Sequence, residues 1–443
     1  MNNSNVIGTE YTKGDVAVNK PTTLELVNKT LEKRYRAERR FKLYGIVSIC
    51  FALLCLVILF TDIVGKGHSA FFQTYLKLEV NLEASVLGIH DVTDPEQIKH
   101  ANYQKALRQS LAVIFPDVKG RSDKRKLNAL ISTGSSYYLA DEVKADPSLI
   151  GQTIVFDILA DDDVDTWLKS RANEVGAFTG RLTKKQLDWL EVLLETDRIE
   201  QQFNAVFFSN GDSREPELAG IRSAITGSLF TLFVTLLLSF TVGISSAIYL
   251  EEYAPKNKIT DFIEVNINNL AAVPSIIFGL LGLAIFIGLF GMTRSIPLLG
   301  GIVLSLMTLP TIIISSRAAI KSVPNSIREA AYGMGASKMQ VILHHVLPLA
   351  MPGMLTGTII GMAQALGETA PLLMIGMVAF VVDIPGSLTD PSTALPVQIF
   401  LWADSPERAF VERTSAAIMV LLAFLITMNT LAVWLRKRLE RRW

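Results

Sequence analysis

The sequence predicts an all-α polytopic membrane protein with six transmembrane helices and a small mixed α/β domain inserted between the first two. Hydrophobic residues make up 50% of the 443 residues and charged residues only 19%, which argues against both a disordered chain and an ordinary soluble protein. Six apolar runs are long enough to cross a bilayer as helices. Residues 65–220, between the first two runs, have the composition of a water-soluble domain.

The first transmembrane helix is predicted at residues 43–64. It rests on LYGIVSICFALLCLVILF (Leu43–Phe60), which carries no charge over a length that can span a membrane. A cleaved signal peptide is the alternative, but the run begins after forty residues and is too long for a signal core. The run contains both cysteines of the chain, Cys50 and Cys55, so neither a disulfide framework nor a thiolate metal site is expected.

Residues 65–220, hereafter the inserted domain, are predicted to lie outside the membrane on the far side from the amino terminus. Apolar residues recur at helical spacing over 182–203 and predict an amphipathic helix. Residues 151–159 are bounded by Gly and Asp and predict a strand.

The acidic run DDDVDTW at 161–167 resembles the start of a calcium loop, with Asp161, Asp163 and Asp165 at alternating positions. Thr166 and Ala172 stand where such a loop requires Gly and Glu. Acids at the start of a helix, favoured by the helix dipole, explain the run better, and no metal site is expected.

Five further spans follow the inserted domain and make up a helical membrane region at 221–435. They are predicted at Ile221–Leu250, Asn269–Phe290, Ile296–Ser315, Pro352–Val382 and Ser415–Leu435.

Positive charge predicts the orientation, because basic residues near membrane ends mark the cytoplasmic side. They precede the first span and follow the second, fourth and sixth: Lys33, Arg34, Arg36, Arg39, Arg40, Lys42; Lys256, Lys258; Arg317, Lys321, Arg328, Lys338; Arg436, Lys437, Arg438, Arg441 and Arg442. The alternate links at 291–295 and 383–414 carry only Arg294, Arg408 and Arg413. Residues 1–42, the 251–268 and 316–350 links and the 436–443 tail are therefore expected in the cytoplasm.

Enzyme signatures are incomplete in this chain. GMGASKM at 333–339 lacks the second Gly before Lys338 and the hydroxyl residue after it that a phosphate-binding loop requires. The adjacent His344 and His345 would point about 100° apart on a helix and so would not chelate a metal. No catalytic residue, cofactor or nucleic-acid partner is expected.

The 316–350 link has a helical sequence of its own, SIREAAYGMGASKMQVILHHVLPLAMPG at 326–353. Ser326 and Glu329 have capping-box spacing, and Gly333 and Gly335 are expected to end the helix. A short helix with a small apolar face at Ala330 and Ala331 can dock into a groove of another protein; a mere connecting loop is the alternative.

These residues resemble the signature of permease subunits of binding-protein-dependent ABC importers of type I. The resemblance rests on Glu329, Ala330, Ala331, Gly335, Leu347 and Pro348, with His345 where the pattern usually has Ile. It implies that this stretch forms the helix that inserts into an ATPase subunit. The residues implied in ATPase coupling are Arg328, Glu329, Ala330, Ala331, Gly335, Leu347 and Pro348.

GETAPLL at 367–373, together with PSIIFGLLG at 274–282, resembles the phosphate-specific permeases of that family over about residues 221–443. The resemblance implies a subunit of an ATP-driven phosphate importer in the bacterial inner membrane. Its implied partners are a second permease subunit, two ATP-binding subunits, a periplasmic phosphate-binding protein and membrane lipid. A permease for sulfate or molybdate, and a membrane sensor that uses the inserted domain as its receptor, are the alternatives.

Glu368 is expected within the fifth span, near the membrane midplane. A carboxylate there costs about 2.5–3.5 kcal/mol, so it should face water or protein, either as a pathway wall or in a structural ion pair. Gly367, Thr369 and Pro371 are expected to interrupt this span, and Pro274 and Ser275 to make a similar break in the third. Because a bare carboxylate repels phosphate, Thr369 and the backbone N–H groups freed by the break are better phosphate donors. The pathway candidates are Pro274, Ser275, Gln364, Gly367, Glu368, Thr369 and Pro371, and many relatives carry Arg where Gln364 stands.

Overall fold

The computed structural model describes most of the chain, namely residues 23–92, 94–172, 180–378 and 380–439. Contacts group the chain into two compact units, residues 1–62 and 63–443. Helix α1 (Thr23–Gly67) contains the first predicted span, and its side chains over 43–60 are exposed. Arg441 and Arg442, which support the predicted orientation, lie outside the described residues, as do residues 1–22 of the amino-terminal segment.

The inserted domain is built on a three-stranded antiparallel sheet in the order β2–β1–β3. Tyr75 of the central strand lies opposite Leu159 of β2 and Glu200 of β3. The elements are β1 (Phe72–Asn81), α2 (Ala84–Leu87), α3 (Pro95–Lys99), α4 (Tyr103–Ile114), α5 (Arg121–Asn128), α6 (Ser135–Ala145), β2 (Thr153–Leu159), α7 (Asp162–Ala172), α8 (Lys184–Glu195), β3 (Ile199–Phe203) and α9 (Ala205–Ser209).

The structure of this domain contains the predicted strand and part of the predicted amphipathic helix. Strand β2 confirms the strand predicted at 151–159. The helix predicted over 182–203 is correct only as far as Glu195, where α8 ends. Asp197 then adopts φ 52°, which turns the chain, and the remaining residues pair with β1 as β3. Sheet pairing therefore overrides the helical spacing of the second half.

The region after the inserted domain is helical. Its elements are α10 (Arg222–Ile248), α11 (Lys258–Ala271), α12 (Ser275–Leu281), α13 (Pro297–Lys321), α14 (Asn325–Gly333), α15 (Lys338–Val341), α16 (Leu347–Gly367), α17 (Ala370–Met374), α18 (Leu395–Ala403) and α19 (Ala409–Leu439). π-helical turns continue α10 over Tyr249–Tyr253 and α12 over Gly282–Leu289, and a third joins α15 to α16 over Ile342–Val346.

The described part of the chain contains five helices long and apolar enough to cross a membrane, and a sixth if α11 and the extended α12 count as one span. Helix α13 packs against both α10 and α16. Small residues permit the close approach: a Cβ on Gly301 would meet Val234, and a Cβ on Gly357 would meet Ser315.

The third predicted span, Asn269–Phe290, is not one straight helix. Helix α11 ends at Ala271, and α12 with its π-helical continuation runs from Ser275 to Leu289 at an angle of 105° to it. Pro274 has no backbone N–H and disfavours helical geometry in the residue before it, which explains the break. The break expected at Pro274 and Ser275 is confirmed.

The fifth predicted span, Pro352–Val382, has the wrong boundaries. The helical segment begins at Lys338 and ends at Gly367, and Glu368 is extended at φ −84° and ψ 116°. The short α17 follows, and Gly376 then takes φ 88°, a left-handed value that no long helix accommodates. Glu368 therefore follows the end of a helix instead of lying inside a continuous span.

The inserted domain shares a buried core with the helices that follow it. Phe207 of α9 is fully buried and packs near Trp402 of α18, which in turn lies beside Phe410 of α19. Ile221 and Ala416 complete this shared core. The domain is therefore packed into the same compact unit as the helical region.

Candidate functional site

Helix α14 carries four of the seven predicted coupling residues, Arg328 to Ala331, and it begins two residues earlier than the capping box requires. The helix starts at Asn325 after Pro324, so Ser326 lies inside the first turn and makes no capping bond with Glu329. That expectation is wrong. The capping box of this region is formed instead by Ser337 and Gln340 at the start of α15.

Gly335 forms the turn between α14 and α15. Its φ of 84° lies in the left-handed region, which glycine adopts without steric cost. The Gly335 N–H donates to the Tyr332 carbonyl at 2.9 Å, and the Ala336 N–H donates to the Ala331 carbonyl at 3.1 Å. The expectation that Gly333 and Gly335 end the helix is therefore confirmed.

Arg328 fixes α14 to the helical body. Its guanidinium donates to the Glu252 carboxylate at 2.9 Å, and to the backbone carbonyls of Ile320 and Val323 at 3.0 and 2.6 Å. Only 16% of the Arg328 side chain is exposed. Arg328 thus points away from solvent and holds the start of α14 against the end of α13 and the π-helical turn after α10.

A second arginine strengthens the same anchor. Arg317, near the end of α13, lies 2.5 Å from a carboxylate oxygen of Glu264 in α11 and 3.5 Å from one of Glu251. The two neighbouring glutamates of the π-helical turn, Glu251 and Glu252, therefore each pair with a different arginine. The motif did not indicate these acids, because they precede it by more than seventy residues.

The predicted coupling residues divide into a packed set and an exposed set. Ala331 is buried beside Val341 and Val346, while Leu347 and Pro348 are half-buried at the start of α16. Glu329, Ala330 and Gly335 are exposed. Beside them lies an exposed apolar surface that the motif did not indicate, hereafter the α14–α15 surface: Tyr332, Met334, Met339 and Leu343.

The structure brings the two predicted helix breaks together. Helix α12 packs along α17, where Gly279 sits against Pro371 and Gly282 against Ile375. About one turn before these contacts, the two segments reach Ser275 and Glu368 respectively, so the breaks lie at a similar level. Glycine is required at position 279 because a Cβ there would lie only 2.7 Å from the Pro371 backbone, and a Cβ on Gly282 would lie 2.9 Å from the Ile375 side chain.

The pathway candidates differ in exposure. Pro274, Gln364 and Gly367 are exposed, Ser275, Glu368 and Thr369 are half-buried, and Pro371 is buried. Within the described ranges the Glu368 carboxylate has no hydrogen bond or ion pair, so the structural ion pair considered above is not formed there. Thr369 accepts a backbone hydrogen bond from Leu373 and thereby starts α17.

A buried ionic junction joins the inserted domain to the last helix. The Lys169 ammonium of α7 lies 2.5 Å from Asp165 and 3.2 Å from Glu412 of α19. Arg413, which is only 6% exposed, donates to the Ala219 carbonyl at 2.7 Å. The charge pattern of the sequence does not indicate this junction, because Lys169 and Glu412 lie 243 positions apart and Arg413 and Ala219 lie 194 positions apart.

Several acids beside this junction resist ionisation. Burial raises the pKa of Glu217 to about 7, although the Ser132 hydroxyl donates to its carboxylate at 2.5 Å. Burial and the neighbouring Asp162 raise the pKa of Asp161 to about 8.

The acidic run itself starts a helix, as expected. Asp161 accepts from the Asp163 N–H at 3.1 Å just before α7, and Arg181 lies 3.3 Å from Asp163 and 3.6 Å from Asp162. Asp161, Asp162 and Asp163 each offer an oxygen within 4.8 Å of the others. An arginine already balances part of this charge, and helix capping accounts for the arrangement.

Comparison with protein families separates the two halves of the chain. Residues 28–175 match a domain of unknown function, DUF3333. Residues 239–443 match the family described as binding-protein-dependent transport system inner membrane component.

Curated relatives match the second half. A probable ABC transporter permease protein of Bacillus subtilis, YqgI, is 34% identical over 39% of this chain, which spans only 58% of that relative. The phosphate transport system permease protein PstA of Yersinia pestis is 30% identical over 56% of this chain and 82% of its own length. PstA 2 of Mycobacterium bovis is 33% identical over 51% and 74% respectively.

Among solved structures, an inward-facing MetNI methionine ABC transporter matches with a TM-score of 0.42 at 18% identity, over 50% of this chain and 96% of that one.

Proposed function

We propose that this chain, which belongs to the family of binding-protein-dependent transport system inner membrane components, is a permease subunit of an ATP-driven phosphate importer. Permeases of this family are non-catalytic, multi-pass inner membrane subunits, and they work with ATPase subunits and a binding protein. The observation that carries the proposal is the α14–Gly335–α15 turn, which is rigidly anchored on one side and apolar and exposed on the other.

The α14–α15 surface is the proposed contact with an ATPase subunit. Tyr332, Met334 and Met339 expose 46%, 77% and 55% of their area, which is costly in water and useful in a groove. Arg328 ties the base of this surface to α13 and to the end of α10. A displacement of the surface would therefore be passed directly to two helices of the body.

The proposed orientation places this surface in the cytoplasm together with both termini, in agreement with the basic residues of the 316–350 link. The inserted domain then faces the periplasm. That arrangement leaves the outer links, 291–295 and 383–414, on the side from which a periplasmic phosphate-binding protein would deliver substrate.

The two helix breaks form this subunit's part of the proposed pathway. Irregular backbone inside a membrane is tolerated where it lines a cavity or contacts protein. The breaks at Pro274–Ser275 and Gly367–Thr369 lie at a similar level, and Glu368 has no partner within the described ranges. A second permease subunit would supply the other half, and movement of the paired subunits would open the pathway to one side at a time.

Phosphate is the proposed substrate because two relatives named phosphate permeases are 30% and 33% identical to this chain. The motif GETAPLL at 367–373 contributes to the same proposal. Sulfate and molybdate are tetrahedral oxyanions as well, so the choice among them requires a competition experiment.

The experiment is uptake of labelled phosphate by proteoliposomes that contain the chain with its second permease, ATPase subunits and loaded binding protein. ATP-dependent uptake that arsenate inhibits and sulfate leaves unchanged is expected. Inhibition by sulfate or molybdate at equal concentration would instead assign another oxyanion. A complex that shows no ATP-dependent accumulation, but responds to a ligand of the inserted domain, would favour the sensor.

A further inference from the structure

We infer that Arg294 is the cation that attracts the phosphate oxyanion at the outer end of this subunit's pathway, an inference that rests on the proposed phosphate import. The residue belongs to the short link between the extended α12 and α13. The predicted coupling and pathway sets do not include it.

The position of Arg294 follows from the packing of the broken helices. Helix α12 and its continuation run alongside α17, with Gly279 at Pro371 and Gly282 at Ile375. The next contact along the same direction joins Gly376 and Arg294: a Cβ on Gly376 would lie 3.5 Å from Cδ of Arg294. Arg294 therefore stands beyond the level of Glu368, on the side toward the outer links.

The neighbouring Ser295 holds the backbone beside Arg294 in a fixed conformation. Ser295 is 6% exposed and adopts φ 59°, a left-handed value that is uncommon for residues other than glycine. Its hydroxyl donates to the Gly376 carbonyl, and its own carbonyl accepts from the Ser392 N–H at 2.7 Å. Two hydrogen bonds thus hold the strained residue between the 375–394 segment and the start of α13.

The charge of Arg294 is available to a ligand. The side chain is exposed, and no described carboxylate pairs with it. The other two arginines of the outer links differ: Arg413 is buried and donates to the Ala219 carbonyl, and Arg408 is already engaged in an interaction. The stem of Arg294 lies against Gly376, so its guanidinium is positioned without being neutralised.

Phosphate is the chemical class that suits this group. A guanidinium presents a planar set of donors that binds phosphate oxygens in a bidentate manner, and it stays charged at every physiological pH. The GETAPLL segment at 367–373 contains the acidic Glu368 and no basic residue, so an arginine at the outer end supplies attraction that this segment lacks. A lipid phosphate offers the same chemistry, and the test must separate the two sources.

The test compares Arg294→Lys, Arg294→Gln and Arg294→Glu with Arg222→Gln in the reconstituted complex. Arg222 is a matched control, since it is an exposed arginine at the start of α10 on the same side. Arg294→Gln is expected to lower the maximal phosphate uptake rate about three- to tenfold, Arg294→Glu further, and Arg294→Lys less than twofold. The KM for loaded binding protein and the assembly of the complex should stay unchanged.

Three results would overturn the inference while wild-type phosphate uptake leaves the proposed function intact. Normal uptake by Arg294→Gln is one. A rise in the KM for binding protein with an unchanged maximal rate would assign Arg294 to protein docking. Loss of stabilisation by added phospholipid, with a normal uptake rate, would assign it to a lipid headgroup. If the wild type itself fails to accumulate phosphate, the proposed function fails first.

Discussion

Gly335 has a conformational task that no other residue type performs at low cost. Its φ of 84° turns the chain from α14 into α15, and a Cβ there would meet no neighbouring atom within 4 Å. The requirement is thus one of backbone geometry, with no packing component. A side chain in the left-handed region costs roughly 1–2 kcal/mol, enough to change the geometry of a short exposed turn.

Gly335→Ala is accordingly expected to uncouple transport from ATP hydrolysis. The substitution should lower phosphate transported per ATP at least about twofold, because the α14–α15 surface would be displaced relative to its anchor. Gly333→Ala is the control, since Gly333 lies in α14 with open space around it and lacks a positive φ. Equal coupling ratios in the two variants would contradict the role assigned to Gly335.

Arg328 is a positioning residue, because its guanidinium points into the helical body and holds α14 in place. Arg328→Gln would leave Glu252 without its cation, and only 11% of the Glu252 side chain is exposed. Breaking a buried pair in this way costs about 3–5 kcal/mol, so a lower unfolding temperature and loss of ATPase co-purification are expected.

The matched control for Arg328 is Lys338→Gln. Lys338 is exposed and its ammonium lies 4.7 Å from the centre of the Tyr253 ring, a contact worth about 0.5–1 kcal/mol. A similar loss of stability in both variants would show that Arg328 is an ordinary surface charge.

At the level of helices, the sequence predicted which segments span the membrane better than where they end. A long uncharged run indicates that a span exists, because an apolar composition over that length suits a helix in the hydrocarbon core of the bilayer. Such runs do not indicate where the helix bends or ends within the run. Pro274 indicated the 105° bend locally, whereas the length of the apolar run did not indicate that α16 ends at Gly367, where Glu368 is extended.

The contacts of the site that join residues distant in the sequence could not be predicted either. The Glu-Ala-Ala run and Gly335 were visible because their requirements are local. The Arg328–Glu252 and Lys169–Glu412 pairs could not be predicted, because the sequence around a charged residue does not indicate which distant residue it pairs with. The capping box assigned to Ser326 failed because the helix starts directly after Pro324, two positions earlier than that box requires.

The contact between α7 and α19 is expected to show direct coupling between its two charged ends. In a double-mutant cycle with Lys169→Met and Glu412→Gln, each single change should destabilise the protein, and the pair should do so by less than the sum. An interaction free energy of about 1–3 kcal/mol is expected for a pair buried to this degree. Thermal unfolding of the purified protein measures it.

A control cycle at an exposed pair distinguishes this coupling from general charge effects. Lys144 and Asp141, three residues apart in α6 and 2.9 Å from each other, are 41% and 72% exposed at the side chain. Their interaction should be below about 0.5 kcal/mol. Strict additivity at Lys169 and Glu412 would mean that the junction contributes no specific link between the two elements.

At the scale of the molecule, the inserted domain and the helical region unfold together if their shared core makes them one unit. Residues 63–443 form a single compact unit, and Phe207, Trp402 and Phe410 pack across the boundary of the inserted domain. The protonation of an acid in the inserted domain should then affect the stability of the helical region as well. Glu217, which contacts both Ser132 and Gln73, is the group that tests it.

The sign follows from the raised pKa of Glu217. Burial moves it from 4.5 to about 7, so the folded protein holds a proton that the unfolded chain has lost between these values. The free energy of unfolding should therefore fall as pH rises from about 4.5 to 7, by up to about 3 kcal/mol from this group. Asp161, with a pKa raised to about 8, adds a loss in the same direction that continues to higher pH.

Thermal unfolding of the detergent-solubilised protein between pH 5.5 and 8.5 measures this dependence. The unfolding temperature should decrease across the range, and Glu217→Gln should flatten the curve because a neutral amide replaces the titrating group. Glu142→Gln is the control, since that glutamate is exposed on α6 and should leave the slope unchanged. Spectroscopic probes in the inserted domain and in α19 should report the same transition. Two separate transitions, with only the first sensitive to pH, would show that the shared core does not join the two regions into one cooperative unit.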